Sequence, residues 1–170
     1  MLYLFRMLYP QDEDFSMDIV VKGKQTLWDL HNALTKKLNY DNHEAASFLL
    51  VSEDDWSIKK EYPAINFNDP SKDSPMKDIT IADVVGRAKQ KLLYLFDMFS
   101  ERYFVLEFVS TTDEQKELEY PFFFNEKGQI PDQTFYDLDL GDTQEDIDED
   151  EDEFGFNDDD MYGIDENDIF

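Results

Sequence analysis

Residues 2–9 are apolar at most positions, and from 15 to 21 the residues Phe15, Met17, Ile19 and Val21 alternate with Ser16, Asp18 and Val20. Alternation is the period of a sheet strand with one covered face, so two strands are predicted, joined by Pro10-Gln-Asp-Glu-Asp14. Lys22-Gly23-Lys24 reads as a turn. The period then changes. Leu27, Leu30, Leu34 and Leu38 share one side at 100° per residue, with Asp29, Asn32 and Lys36 opposite, and Thr26 stands three residues before Asp29 in capping-box spacing. A helix over 27–38 follows, packed by its leucine stripe on a sheet.

Phe48-Leu-Leu-Val51 is a short apolar strand. Residues 52–78, with Pro63, Pro70 and Pro75 among many Asn, Asp and Ser, read as irregular. Thr80 and Asp83 form a second capping box before a short helix that ends at Gly86. The strongest strand signal is Leu92–Phe96 and Tyr103–Val109, separated by 97–102. Both arms are apolar at nearly consecutive positions, which marks central strands covered on both faces. A weaker strand is expected at 118–124, closed by Asn125-Glu-Lys-Gly128. These elements predict an α+β fold. A single domain over residues 1–131 would hold a mixed or antiparallel sheet of about five strands, with the helix packed across one face, and an acidic tail would occupy 132–170.

Charge separates the two parts. The chain of 170 residues has a formal net charge of −26, yet after Lys127 there is no Lys or Arg while residues 128–170 hold 18 Asp and Glu. The first 127 residues keep 23 acids against 15 bases, an ordinary and mildly acidic body. Eight of the nine residues from Glu145 to Glu153 are acidic, and adjacent carboxylates lie well inside a Debye length of about 8 Å, so compaction of that run is opposed. Phe135, Tyr136, Phe154, Phe156, Tyr162 and Phe170 interrupt the acids, and Phe154-Gly-Phe-Asn-Asp158 is echoed by Tyr162-Gly-Ile-Asp-Glu166. Such a chain repels nucleic-acid phosphates and anionic membranes and attracts basic surfaces. The absence of cysteine excludes disulfides and thiolate chemistry and fits a reducing cytoplasm. No run reaches the ~20 apolar residues of a membrane span.

Thr26-Leu-Trp-Asp-Leu-His-Asn-Ala-Leu34 resembles the Leu-x-Asp-Leu-His-x-Ala helix of the plasmid pRiA4b open-reading-frame-3-like family. Asn39-Tyr40, Asn42-His43 and Phe48 stand where that family has a Gly-Trp, a His-rich stretch and a strand. Ile81-Ala-Asp-Val-Val85 and Lys91-Leu-Leu-Tyr-Leu-Phe-Asp97 are similar to its second helix and its hairpin, although the Phe-Gly-Asp-x-Trp turn reads Met98-Phe-Ser-Glu-Arg-Tyr103 here. Gly128-Gln-Ile-Pro-Asp132 is similar to a later Gly-x-x-Pro segment, without the cysteines many members carry there. The resemblance covers residues 15–132. It implies the fold and a link, through members' names, to plasmids and mobile elements; it implies no activity, cofactor or site residue.

Candidate chemistry is sparse. His31 and His43, the two histidines, could join Asp97 in a divalent-metal site, with Asp41 and Glu101 nearby in sequence, and so serve a metal-dependent enzyme. The alternative for His31, inside the leucine stripe, is a neutral imidazole hydrogen-bonded to backbone. Asp97 and Glu101 could be paired carboxylates for acid–base work, or Asp97 could organise its turn by accepting from nearby backbone N–H groups. The six scattered glycines make no phosphate loop, no nucleophile elbow surrounds a Ser or Thr, and neither Gly155 nor Gly163 sits in an EF-hand pattern. No cofactor is expected. The leading expectation is a cytoplasmic, non-catalytic interaction protein. Its acidic tail would bind a basic protein surface, with Phe135, Tyr136, Phe154, Phe156, Tyr162 and Phe170 as anchors. A variant of this reading has the tail mimic nucleic acid in a partner's basic groove. Direct nucleic-acid binding and membrane association are not expected.

Overall fold

A computed structural model describes residues 1–66, 68–69, 72–86, 90–113 and 118–134. The described residues all fall within one compact unit. The strands are β1 (Leu2–Tyr9), β2 (Asp12–Lys22), β3 (Ser47–Val51), β4 (Ile58–Pro63), β5 (Lys91–Asp97), β6 (Arg102–Thr112) and β7 (Phe122–Lys127), and the helices are α1 (Leu27–Leu38) and the single turn α2 (Ile81–Val84). A 3-10 turn covers Pro75–Lys77. The strands form one sheet in the order β4-β3-β5-β6-β1-β2-β7. Every neighbouring pair is antiparallel.

This corrects the expectation of a mixed or antiparallel sheet of about five strands: the sheet has seven strands and no parallel pair. The strand missed outright is β4, inside the stretch read as irregular. It is an edge strand with Ile58, Lys59, Lys60 and Glu61 all exposed, so it carries no alternation to detect, and it ends on Pro63, which an edge tolerates. The other edge, β7, lies at Phe122–Lys127 rather than 118–124, and no residue in it is fully buried. β2 begins at Asp12, so the β1–β2 connection is a tight hairpin instead of a five-residue link.

The width of the sheet explains how its apolar face is covered. Seven strands about 4.8 Å apart span roughly 29 Å between the outer two, whereas a twelve-residue helix is about 18 Å long. α1 buries Leu27, Leu30, His31, Leu34, Thr35 and Leu38. Met76, Ile81 and Val84 extend the same core, which joins Phe5, Met7, Phe15, Met17, Ile19, Phe48, Tyr94, Phe104 and Leu106 from the sheet. Each buried leucine of α1 contributes about 2 kcal/mol of transfer free energy. The opposite face carries a smaller cluster, Leu49, Val51, Leu93 and Val105, with Leu95 and Tyr103 half-buried beside it. That cluster is why the central strands read as apolar at consecutive positions.

Two structural details fix the edges of this frame. Arg6 on β1 donates to Asp18 on β2 at 2.9 Å, and Asn125 on β7 donates to the same carboxylate at 2.8 Å, so one buried Asp ties three strands together. Burial pushes the Asp18 carboxyl up, but the hydrogen bonds from Arg6 and Asn125 outweigh it and hold the group below the usual carboxylate value. Gly128, just past β7, has φ +74°, and a Cβ there would lie 2.8 Å from the Asp14 carbonyl oxygen, so no other residue fits without moving backbone.

Candidate interaction site

The β5–β6 turn is held by hydrogen bonds from both backbone and side chains. Asp97 and Arg102 face each other across it in register. One carboxylate oxygen of Asp97 accepts from the backbone N–H groups of Phe99 and Ser100, both at 3.1 Å. The other accepts from Arg102 Nε at 2.9 Å and Nη2 at 2.8 Å. Both side chains are buried, at 7% and 6% exposure, so water competes little for the pair. Burial pushes the Asp97 carboxyl up, and the Ser100 and Arg102 hydrogen bonds overcome this and leave it below its ordinary value. Asp97 thus organises its turn, and nothing in its surroundings prepares it to give or take a proton near neutrality.

The chain's return strap locks the same turn from outside. Arg102 Nη2 also donates to the Gln133 carbonyl at 2.7 Å, and the Gln133 side chain accepts from the Asp41 N–H at 2.6 Å while donating to the Asp41 carbonyl at 2.9 Å. Tyr40 donates its hydroxyl proton to the Pro131 carbonyl at 2.5 Å, and Ile130 packs against the main core. The Arg102 guanidinium lies over the Phe96 ring, 5.1 Å from its centroid. On this rigid base the tip presents Phe99 at 98% exposure, with Met98 at 36% beside it. Glu44, Ala45, Phe99, Gln133 and Thr134 border one small hollow at the tip.

The residues singled out from sequence fall in different settings. His31 is fully buried on α1, where Nδ1 shares a 2.9 Å hydrogen bond with the Tyr94 hydroxyl and Nε2 has no partner. Its partner is therefore a side chain, not the backbone. Burial lowers the imidazole to about 4, so it is neutral at pH 7. His43 is exposed in the α1–β3 loop, with its backbone N–H on the Asp41 carboxylate. Asp97 is committed to Arg102. The structure does not bring the three together, and among the described residues no group of three or more His, Cys, Asp or Glu is placed to hold a metal ion. Glu101 occupies the left-handed region at φ +52° and closes the turn. Phe135, Tyr136, Phe154, Phe156, Tyr162 and Phe170 lie outside the described residues.

A polar hollow elsewhere is lined by Ser52, Glu53, Asp54, Lys59 and Gln90. An apolar hollow of about 200 Å³ near the β7 edge is lined by Leu2, Val20, Leu118, Tyr120, Phe122 and Phe124, with Thr112 and Asp113 as its few polar neighbours. Among the described residues, no convergent set of polar groups lines it to orient a ligand. No helix among the described residues is long and apolar enough to cross a membrane. Sequence reasoning missed Arg102 and Phe99. The first was legible as the residue opposite Asp97 in a tight hairpin; the second leaves no periodic trace, because an exposed ring obeys no burial pattern.

No curated protein is similar enough to match this chain. Among solved structures, a protein of unknown function from Methanosarcina mazei Go1, MM3350, superposes with a TM-score of 0.59 at 16% identity, over 74% of this chain and 68% of that one. At that identity the likeness establishes the fold alone. The model of the plasmid pRiA4b ORF-3-like proteins matches residues 11–153, further at both ends than the 15–132 carried by the motifs, and the chain belongs to that family.

Proposed function

We propose that this protein is a non-catalytic interaction protein whose C-terminal segment binds a basic protein partner. The observation that carries the reading is the charge split: residues 128–170 contain 18 acids and no Lys or Arg, with six aromatic rings set among the acids from Phe135 onward. Carboxylates at that density steer a cationic surface into encounter and bind it in a salt-dependent way. The rings supply the apolar area that carboxylates lack and that binding energy concentrates on. Since the strap through Gln133 is hydrogen-bonded to the folded body, the partner-binding segment is assigned to residues 135–170.

The test is titration of the full chain, and of a chain ending at Thr134, with a nona-lysine peptide across a range of salt. The full chain is expected to bind at least tenfold more tightly at low salt, with the difference shrinking as salt rises. Equal binding by the two chains sinks the proposal.

A further inference from the structure

We propose that the β5–β6 tip is a second docking point, on the folded body, for the arginine side chains of the same basic partner. The inference rests on the reading of the C-terminal segment as a partner-binding element and names where the body joins in. Phe99 is the starting point, a phenylalanine ring 98% exposed. A reversal of chain direction needs no ring there, and an exposed ring of this kind is unfavourable unless something covers it. Its backbone, moreover, is held in place: the Phe99 N–H is fixed on Asp97, Asp97 is fixed by Arg102, and Arg102 is fixed by the Gln133 carbonyl. A ring presented on a rigid base loses little conformational freedom on binding, the property of interface anchors.

Charge around the tip selects the partner. Glu44 borders the same hollow as Phe99, and Glu101 is exposed within the turn. The cation at this turn, Arg102, is buried and paired with Asp97. An incoming cation therefore meets an aromatic face flanked by carboxylates. The molecule already contains a related arrangement internally, where the Arg102 guanidinium lies over the Phe96 ring, 5.1 Å from its centroid, while pairing with Asp97. A planar guanidinium can lie on a ring and offer its edge to a carboxylate at once, which an ammonium does poorly. Finally, Thr134 borders the tip and residue 135 follows it in the chain, so a partner held by residues 135–170 is tethered to a body whose last described residue lies beside Phe99, which raises its effective concentration there.

The experiment is binding of nona-arginine and nona-lysine to the full chain and to Phe99→Ser, with backbone amide shifts followed by NMR. Since the Phe99 residue is 98% exposed, the variant is expected to fold, and matching amide spectra away from the turn verify this. The expected result is about a tenfold loss of nona-arginine affinity in Phe99→Ser, at most a twofold loss for nona-lysine, and shifts at Phe99, Ser100 and Glu101 in the unsubstituted chain. Unchanged affinity for both peptides, or silent tip amides while those of residues 135–170 shift, overturns the tip and leaves the C-terminal reading standing. Equal losses for both peptides overturn the guanidinium assignment. Shifts confined to the tip would instead refute the C-terminal reading.

Discussion

A histidine with one orphaned nitrogen in a hydrophobic core is a residue-scale instability with a defined pH window. His31 is lowered to about 4 by burial, against about 6.5 in an unfolded chain. Between those values the unfolded state binds a proton that the folded state refuses, so stability falls as pH drops from about 6.5 and the loss is complete below about 4. The difference amounts to about 3 kcal/mol. Replacing the pair together, His31→Leu with Tyr94→Phe, removes both the titrating ring and the hydroxyl it would strand. Urea unfolding at pH 7 and pH 4.5 is expected to show a drop in the natural chain that is absent, or at least halved, in the double variant; parallel pH dependence would contradict the assignment. At this scale the sequence conveyed part of the arrangement. That Asp97 organises its own turn was readable, because Asp at a strand end commonly accepts from the next N–H groups. The pairing of His31 with Tyr94 was not, since the two lie 63 residues apart and only packing brings them together.

At the scale of elements, the two capping boxes turn out to be one unit. Thr26 accepts from the Asp29 N–H at 3.1 Å and Thr80 from the Asp83 N–H at 3.3 Å, and each Asp carboxylate in turn accepts from its threonine's N–H. Thr26 and Thr80 are themselves bridged antiparallel, with Leu27 N–H donating to the Ile79 carbonyl and Ile81 N–H to the Gln25 carbonyl, both at 2.9 Å. The start of α1 is thereby fastened to a four-residue helix too short to persist alone. Thr26→Ala and Thr80→Ala are each expected to cost about 1 kcal/mol. Because the two sites touch, the double variant should differ from the sum of the singles by at least 0.5 kcal/mol; strict additivity in thermal or urea unfolding would show two independent caps. Both boxes were visible in sequence as Thr-x-x-Asp, and α1 was legible to its ends, because helix caps are local chemistry. Their pairing is long-range and left no mark. β4 was invisible for a related reason: an exposed edge strand is defined by its neighbour's hydrogen bonds, which the residues Ile58-Lys-Lys-Glu-Tyr-Pro63 do not encode as a pattern.

For the whole molecule, the decisive geometry is that of the last described stretch, residues 129–134, on the folded body. The last base is Lys127, and the domain boundary expected from sequence stands four residues further on, after 131. Packing continues beyond it, because the strap from Gln129 to Thr134 supplies Ile130 to the core, a carbonyl to Tyr40, a carbonyl to Arg102 and a side-chain amide to Asp41. Charge content identifies which residues repel one another, and says nothing about which uncharged residues find hydrogen-bond partners across the fold. A chain ending at Lys127 should therefore be less stable than one ending at Thr134, even though the seven residues between them include only one acid, Asp132. Four hydrogen bonds and one half-buried isoleucine are lost, offset by the freedom regained by the strap, for a net cost on the order of 2 kcal/mol. The same cut releases Arg102 from Gln133 and so loosens the tip that carries Phe99. Urea unfolding of the two truncated chains, together with amide exchange at Phe99 and Ser100, checks both consequences: faster exchange at the tip and a lower midpoint are expected in the shorter chain. Equal midpoints with equally protected tip amides would show that the turn is held by Asp97 and Arg102 alone, and that the strap merely lies along a surface already complete without it.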